Sequence, residues 1–202
     1  MKIYLARHGE TEYNRKRLIM GQLDIPLNEK GVKQAEKLAK SLKDKRITAI
    51  YSSDLSRAYK TAEIISEELK LPVTGVTEFK EHTLGKLDGT DWTEEYEVMT
   101  LDEFEKVMMR EGAEELEIFY DRVWNKFLEV VENHPIDENL LIVMHGGCTR
   151  VIIMKILKAS DDLFASLSQN NACFNIIAYK EKRPRFKFII EKINECCHLE
   201  EI

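Results

Sequence analysis

The sequence predicts an α/β protein of three layers, a mostly parallel central sheet covered by helices on both faces, with a helical lid segment over about residues 90–122. Three observations carry this. A short apolar run, a polar loop and an amphipathic helix follow one another three times, and strands separated by helices imply right-handed crossovers and parallel pairing. The apolar runs are short and punctuated, as buried strands are. The stretch from Thr93 to Asn133 is helical in period but heavily charged, so its helices need not touch the sheet. The 202 residues suit one domain, taken as the whole of residues 1–202.

Lys2 to Ala6 reads as the first strand, stopping at Arg7-His8-Gly9. After a loop to Pro26, Asn28 is placed as an N-cap before Val32, Ala35, Leu38, Ala39 and Leu42, which recur at helical spacing. Ile47 to Tyr51 is the second strand; Ser52-Ser53-Asp54 offers capping oxygens, and Ala58, Ala62, Ile65 and Leu69 mark a helix from near Leu55. Pro72 ends it, and Val73 to Phe79 looks extended. Charged helices follow over Thr93 to Arg110 and Glu115 to Asn133, separated at Gly112. Leu140 to Met144 is the most apolar strand, followed by His145-Gly146-Gly147 and a helix from about Thr149 to Leu157. Cys173 to Tyr179 and Phe186 to Ile190 read as closing strands joined by a turn at Glu181 to Pro184, and the residues after Asn194 as a solvated tail.

Composition excludes several classes. Thirty Lys and Arg against 36 Asp and Glu leave a net charge of −6, so the global field repels nucleic acid and acidic membranes, and any bound anion must be drawn by a local cluster. No apolar run approaches the roughly 18 residues that span a bilayer, and the run before Arg7 is too short for a signal-peptide core, so a cytoplasmic location is expected. Cys148, Cys173, Cys196 and Cys197 lack zinc-site spacing and are expected as reduced thiols. A homodimer is compatible with the sequence but not specified by it.

Ligands of such sheets bind beyond the carboxyl ends of the strands. Arg7 with His8, Arg57 and His145 all follow different strands, which puts two guanidinium groups and two imidazoles at one crevice. The string Arg7-His8-Gly9-Glu10-Thr11, with Asn14, resembles the signature of the histidine phosphatase superfamily, which includes the cofactor-dependent phosphoglycerate mutases. The resemblance covers most of the chain in order: Gly21-Gln22-Leu23-Asp24 with Pro26-Leu27 and Gly31, Ser52-Ser53-Asp54-Leu55-Ser56-Arg57-Ala58, Glu81 with Gly85 and Gly89, Gly112-Ala113-Glu114-Glu115 with Arg122, and His145-Gly146-Gly147 with Arg150. Asn28, Leu87-Asp88, Glu115 and Cys148 depart from the family's common residues. The resemblance implies catalytic roles for Arg7, His8, Arg57, Glu81 and His145, and substrate contacts from Asn14, Thr11, Gln22 and Gly146.

Physics supports those roles. A phosphoryl group in flight spreads charge over three oxygens, so catalysis is mainly positioning and electrostatic stabilisation. Arg7 and Arg57 offer planar donor forks. His145, protonated beside the phosphate, adds a donor, and Asn14 a neutral one. His8 remains as nucleophile, its second ring nitrogen held by a backbone carbonyl of its loop, and the arginines disfavour its imidazolium. Glu81 can donate a proton to the leaving oxygen and later take one from water. Glu10 orients the loop, Arg15-Lys16-Arg17 reads as a solvated face, His82 has no role, and His134 and His198 read as surface residues. No metal or other cofactor is implied.

Up to phosphohistidine a phosphatase and a mutase share one chemistry. The compact segment from Gly89 to Gly112 resembles the family's phosphatases, so hydrolysis of a small phosphorylated metabolite is expected, with a phosphoglycerate mutase as the alternative. A silent phosphate-binding protein is the third reading, and it sits poorly with the presence of His8, Glu81 and His145 together.

Overall fold

The computed structural model describes residues 1–183 and 187–200. In chain order these form β1 (Lys2–Arg7), α1 (Glu12–Lys16), α2 (Glu29–Leu42), β2 (Ile47–Ser53), α3 (Ser56–Leu69), β3 (Val73–Val76), α4 (Glu94–Val98), α5 (Leu101–Arg110), α6 (Leu116–Glu132), β4 (Asn139–Met144), α7 (Gly146–Leu157), α8 (Asp162–Ser166), β5 (Phe174–Tyr179) and β6 (Phe188–Glu195). The described strands make one six-stranded sheet in the order β3-β2-β4-β1-β5-β6. The first four are mutually parallel, whereas β5 and β6 pair antiparallel at one edge.

Strand alternation builds the layers. Ile3 and Leu5 of β1, with Leu140, Ile142 and Met144 of β4, face a core formed with Phe119, Val123 and Phe127 of α6 and Val151 and Ile152 of α7. Tyr4, Ala6, Leu141 and Val143 point the other way, onto Leu38 and Leu42 of α2 and Ala58, Ala62 and Ile65 of α3. Both faces of the central strands are therefore dry, and each fully buried Leu, Ile or Phe contributes roughly 1.5–3 kcal/mol over leaving it in water.

Several expectations are corrected. The charges of α6 lie on its outer side, and its inner stripe belongs to the main core, so within this segment only α4 and α5 stand outside that core; α5 packs through Met108, Phe104 and Val107 on Ile19, Leu84 and Leu87. Helices α4 and α5 part at Thr100, whose side chain and that of Glu103 form a capping box. At the N-terminus of α3, Ser53 Oγ accepts from Leu55 N at 3.3 Å, and Asp24, distant in sequence, accepts from Ser56 N at 2.7 Å. Helix α7 begins at Gly146, three residues earlier than expected, and β3 stops at Val76, with a 3-10 turn over Thr77–Phe79. The final strand runs from Phe188 to Glu195; Phe186, and Pro184 of the turn, lie outside the described residues. Up to residue 200 the tail is docked, not solvated: Leu199 packs on the α2 and α3 core, and His198 Nε2 donates to Ala172 O at 3.0 Å. No described helix is long and apolar enough to cross a membrane.

The loop after β1 is pressed against the start of α2. Asn28 caps α2 by accepting from Gly31 N, and Asn28 N donates to Glu10 O. A Cβ on Gly31 would stand 2.1 Å from Glu10 O, and one on Gly9 2.3 Å from Gly31 O, so neither position tolerates a side chain. Gly31→Ala is expected to lower unfolding stability by roughly 1–2 kcal/mol, overpacking outweighing the helix-propensity gain. Gly75→Ala, whose Cβ would meet the Tyr59 ring at an ordinary 3.6 Å, should stay within about 1 kcal/mol of the parent. Equal urea midpoints for the two variants would contradict this close packing.

Candidate active site

Three parallel strands deliver their carboxyl ends to one place. Arg7 pairs with Met144 at the end of β1 and β4, and Ser52 of β2 pairs with Val143. His8 N donates to Met144 O, and Ala172 N to His8 O, each at 3.0 Å, so the residue after β1 is pinned between β4 and the approach to β5. Arg57 enters from the first turn of α3, and His145 stands at the N-cap of α7.

The two imidazoles are buried, with ring centroids 5.2 Å apart. His8 Nδ1 lies 2.7 Å from Gly9 O, and a carbonyl only accepts, so Nδ1 carries the hydrogen and Nε2 keeps its lone pair. This is the loop carbonyl expected from the sequence. Burial, followed by Arg57 and Arg7, pushes the His8 pKa well below the ordinary imidazole value. Burial, with Arg57, His8 and Arg7, pushes the His145 pKa well down too, so the ring on its own is neutral at pH 7; the sequence predicts a protonated ring only beside a bound phosphate. It can donate nonetheless. Ser53 Oγ accepts from Leu55 N at 3.3 Å and lies 2.9 Å from His145 Nε2; a hydroxyl proton aimed at Nε2 leaves the ring hydrogen on Nδ1.

The guanidinium groups are partly committed to backbone. Arg57, fully buried, donates through Nη1 to Leu23 O at 2.7 Å and Nη2 to Gly21 O at 2.8 Å, and Arg7 donates through Nη1 to Gln169 O. Burial lowers the Arg57 pKa to about 10, which leaves it cationic at neutral pH. Three buried nitrogens of this cluster, Arg7 Nε, Arg57 Nε and His145 Nδ1, have no hydrogen-bond partner among the described residues. An unsatisfied buried donor costs roughly 1–3 kcal/mol, so three of them around one imidazole mark a site built for an acceptor-rich group. The donor set, all N–H and one sign of charge, suits a phosphate.

Glu81 reaches the same place from the segment after β3. Its Oε2 accepts from Gly147 N at 2.9 Å, at the start of α7, and its Oε1 from His82 N at 3.0 Å. A Cβ on Gly147 would fall 2.3 Å from Glu81 Oε1, so only glycine lets the carboxylate approach the helix end. Cys148, buried, directs its thiol at the carbonyls of Phe79 and Lys80; burial pushes its pKa well up, so it is a neutral packing group.

The expected substrate contacts separate. Asn14 turns Oδ1 toward Thr11 and Asn171, and among the described residues nothing accepts from its Nδ2, which is left to donate. Gly146 sits beside Arg7, 3.7 Å from Nε at its Cβ position, and can contact a ligand there only through backbone. Thr11 is buried with its hydroxyl in the capping box of α1, so it shapes the loop and does not face the cleft. Gln22 donates through Nε2 to Glu81 O at 3.0 Å and steadies that residue's backbone. Glu10 orients the loop as expected, accepting from Asn28 and Lys30. Arg15 is paired with Glu12 on an exposed face. His82 and His134 are structural: His82 stacks on Phe119 and donates to Glu114 O, and His134 bridges Tyr51 and Glu138 rather than lying free on the surface.

Sequence reasoning missed Asn171, whose Nδ2 donates to His8 O, Gly9 O and Asn14 Oδ1, and Thr61, whose hydroxyl accepts from Gly9 N. It also missed Gln169, which holds Arg7 and is itself held by Asn175. No string in the sequence signals them. Among the described residues no group of three or more His, Cys, Asp or Glu is placed to hold a metal ion.

The family described as the histidine phosphatase superfamily (branch 1) matches residues 3–192. The chain is similar to a metal-independent phosphoserine phosphatase of Arabidopsis thaliana, 33% identical over all of this chain and 84% of that one. It is 31% identical to phosphoserine phosphatase 1 of Hydrogenobacter thermophilus, over 100% and 95% of the two chains. The solved structure of Bacillus stearothermophilus YhfR superposes with a TM-score of 0.86 at 27% identity, covering 98% of this chain and 99% of that one. Its fold, its cluster of donors around His8 and these relatives together make the chain a phosphomonoester hydrolase belonging to the histidine phosphatase superfamily, branch 1.

Proposed function

We propose that the chain hydrolyses a small phosphorylated metabolite, phosphoserine being the first substrate to test, through phosphoryl transfer to His8 Nε2. The observation that carries this is the trio of unpartnered nitrogens, Arg7 Nε, Arg57 Nε and His145 Nδ1, beside a neutral imidazole whose free lone pair is on Nε2. Phosphoserine is placed first because two relatives at 33% and 31% identity bear that activity in their names.

The chemistry takes two steps. The phosphate oxygens accept from the two arginines, His145 Nδ1 and Asn14 Nδ2. The His8 Nε2 lone pair forms the N–P bond as the P–O bond to the leaving group breaks, and Glu81 gives that oxygen its proton. Water then attacks the phosphohistidine, losing a proton to Glu81 as the N–P bond breaks, and His8 regains its lone pair. Positioning and field do most of the work, while the acid and base steps contribute roughly a hundredfold to ten-thousandfold. Four free cysteines are in keeping with a reducing compartment such as the cytoplasm.

With EDTA present, the protein should release inorganic phosphate from phosphoserine and from p-nitrophenyl phosphate, and His8→Ala should fall to background with its fold intact. Interconversion of phosphoglycerates without phosphate release would support the mutase alternative instead. Binding without turnover would leave the silent phosphate binder.

The neutral imidazoles also make the fold acid-sensitive. Unfolded, His8 and His145 take up protons below about pH 6.5, whereas the folded protein holds them unprotonated well below that, so stability is full above that range and falls as pH drops. Each ring adds a slope of up to about 1.4 kcal/mol per pH unit. The urea midpoint is expected to decline from pH 7 to 5.5, less steeply in His145→Asn; identical slopes for the two proteins would contradict a neutral buried ring.

A further inference from the structure

Arg122 of α6 touches no reacting group in the proposed mechanism, yet all five of its N–H donors are engaged. Nε and Nη2 bind the Glu114 carboxylate at 2.6 and 2.7 Å, Nη1 donates to Glu78 O at 2.8 Å and Lys80 O at 2.7 Å, and Nη2 also donates to Glu81 O at 3.0 Å. Three carbonyls within four residues of chain thus converge on one guanidinium. Residues 80–84 belong to no helix or strand, so no regular ladder fixes the segment that carries Glu81. Arg122 is itself fixed, by the two-point Glu114 pair and by the Phe119 ring, whose centroid is 4.9 Å from its guanidinium carbon. Glu114 closes the unit: its N–H donates to Thr83 O at 3.1 Å and its carbonyl accepts from His82 Nε2 at 2.7 Å.

We propose that Arg122 is the positioning residue for the general acid: it holds the backbone of residues 78–81 so that the Glu81 carboxyl lies at the start of α7 and within reach of the leaving oxygen. This rests on the reading of Glu81 as the acid. A planar fork spans carbonyls that a lysine's single ammonium cannot reach together, so charge alone does not substitute for it. A small displacement of a proton donor weakens transfer to a poor leaving group far more than to a good one, because a good leaving group departs without the proton.

The test compares Arg122→Lys, Glu81→Gln and the double variant on a series running from p-nitrophenyl phosphate to phenyl phosphate and phosphoserine, with melting temperatures recorded alongside. In kcat/KM, which ends at formation of the phosphohistidine and so leaves out the base step shared by all substrates, Arg122→Lys should lose less than about threefold on p-nitrophenyl phosphate and at least about tenfold on the poorest leaving group, and the loss should vanish in the Glu81→Gln background. Equal slowing along the series, or full additivity with Glu81→Gln, would reduce Arg122 to a structural prop. If Glu81→Gln itself slows every substrate alike, the acid assignment fails and this inference falls with it; if only Glu81→Gln shows the leaving-group trend, the acid stands and the positioning role is overturned. Should Arg122→Lys not fold, Glu114→Gln, which loosens the same fork from its far side, should show the trend in weaker form, and a flat response there would overturn the inference.

Discussion

Burying two guanidinium groups beside two imidazoles is the constraint on which this structure turns. Like charges in a dry site repel, and a cation taken from water loses hydration that only hydrogen bonds and opposite charge can replace. The chain answers with backbone. Gly21, Leu23 and Gln169 turn their carbonyls onto Arg57 and Arg7, and the Glu81 carboxylate stands in the same field. Burial first, and the remaining positive potential second, hold both histidines neutral, and that potential is also what an anion meets on entering. One arrangement therefore offers unpartnered N–H groups to an anion and keeps the His8 Nε2 lone pair free.

The fold is arranged to hold that cluster still. Parallel strands bring Arg7, Ser53 and His145 to one edge, and the loop after β1 is wedged against α2 where only glycine fits on either side. Glu81, the proposed proton donor, comes from a different kind of element, an irregular segment. It is fastened from three directions: by Gln22 at the Glu81 carbonyl, by Arg122 from α6, and by Gly147 and Cys148 at the start of α7. Helix α6 thus serves twice, its inner stripe closing the core and Arg122 reaching the segment that carries Glu81.

Much of this was legible in the residues. The strand, loop, helix order and the placement of Arg7, His8, Arg57 and His145 follow from short apolar runs that end in polar strings, because local periodicity and punctuation report local structure. What depends on distant partners was not. Asp24 as the cap of α3, Asn171 as the clamp on the His8 loop and Gln169 as the brace of Arg7 have no local signature, since each acts on a residue at least 32 positions away. The depth of α6 was hidden by charges on its solvent side, and the docked tail by its polar composition.

The central claim is that a covalent bond forms between phosphorus and His8 Nε2. Rapid acid-free quenching of the protein during turnover of a radiolabelled phosphomonoester tests it most directly. The account predicts label that survives base, is lost in acid and maps to His8. Label on another residue, or turnover at full rate with no label trapped on the millisecond scale and undiminished activity in His8→Ala, would contradict it.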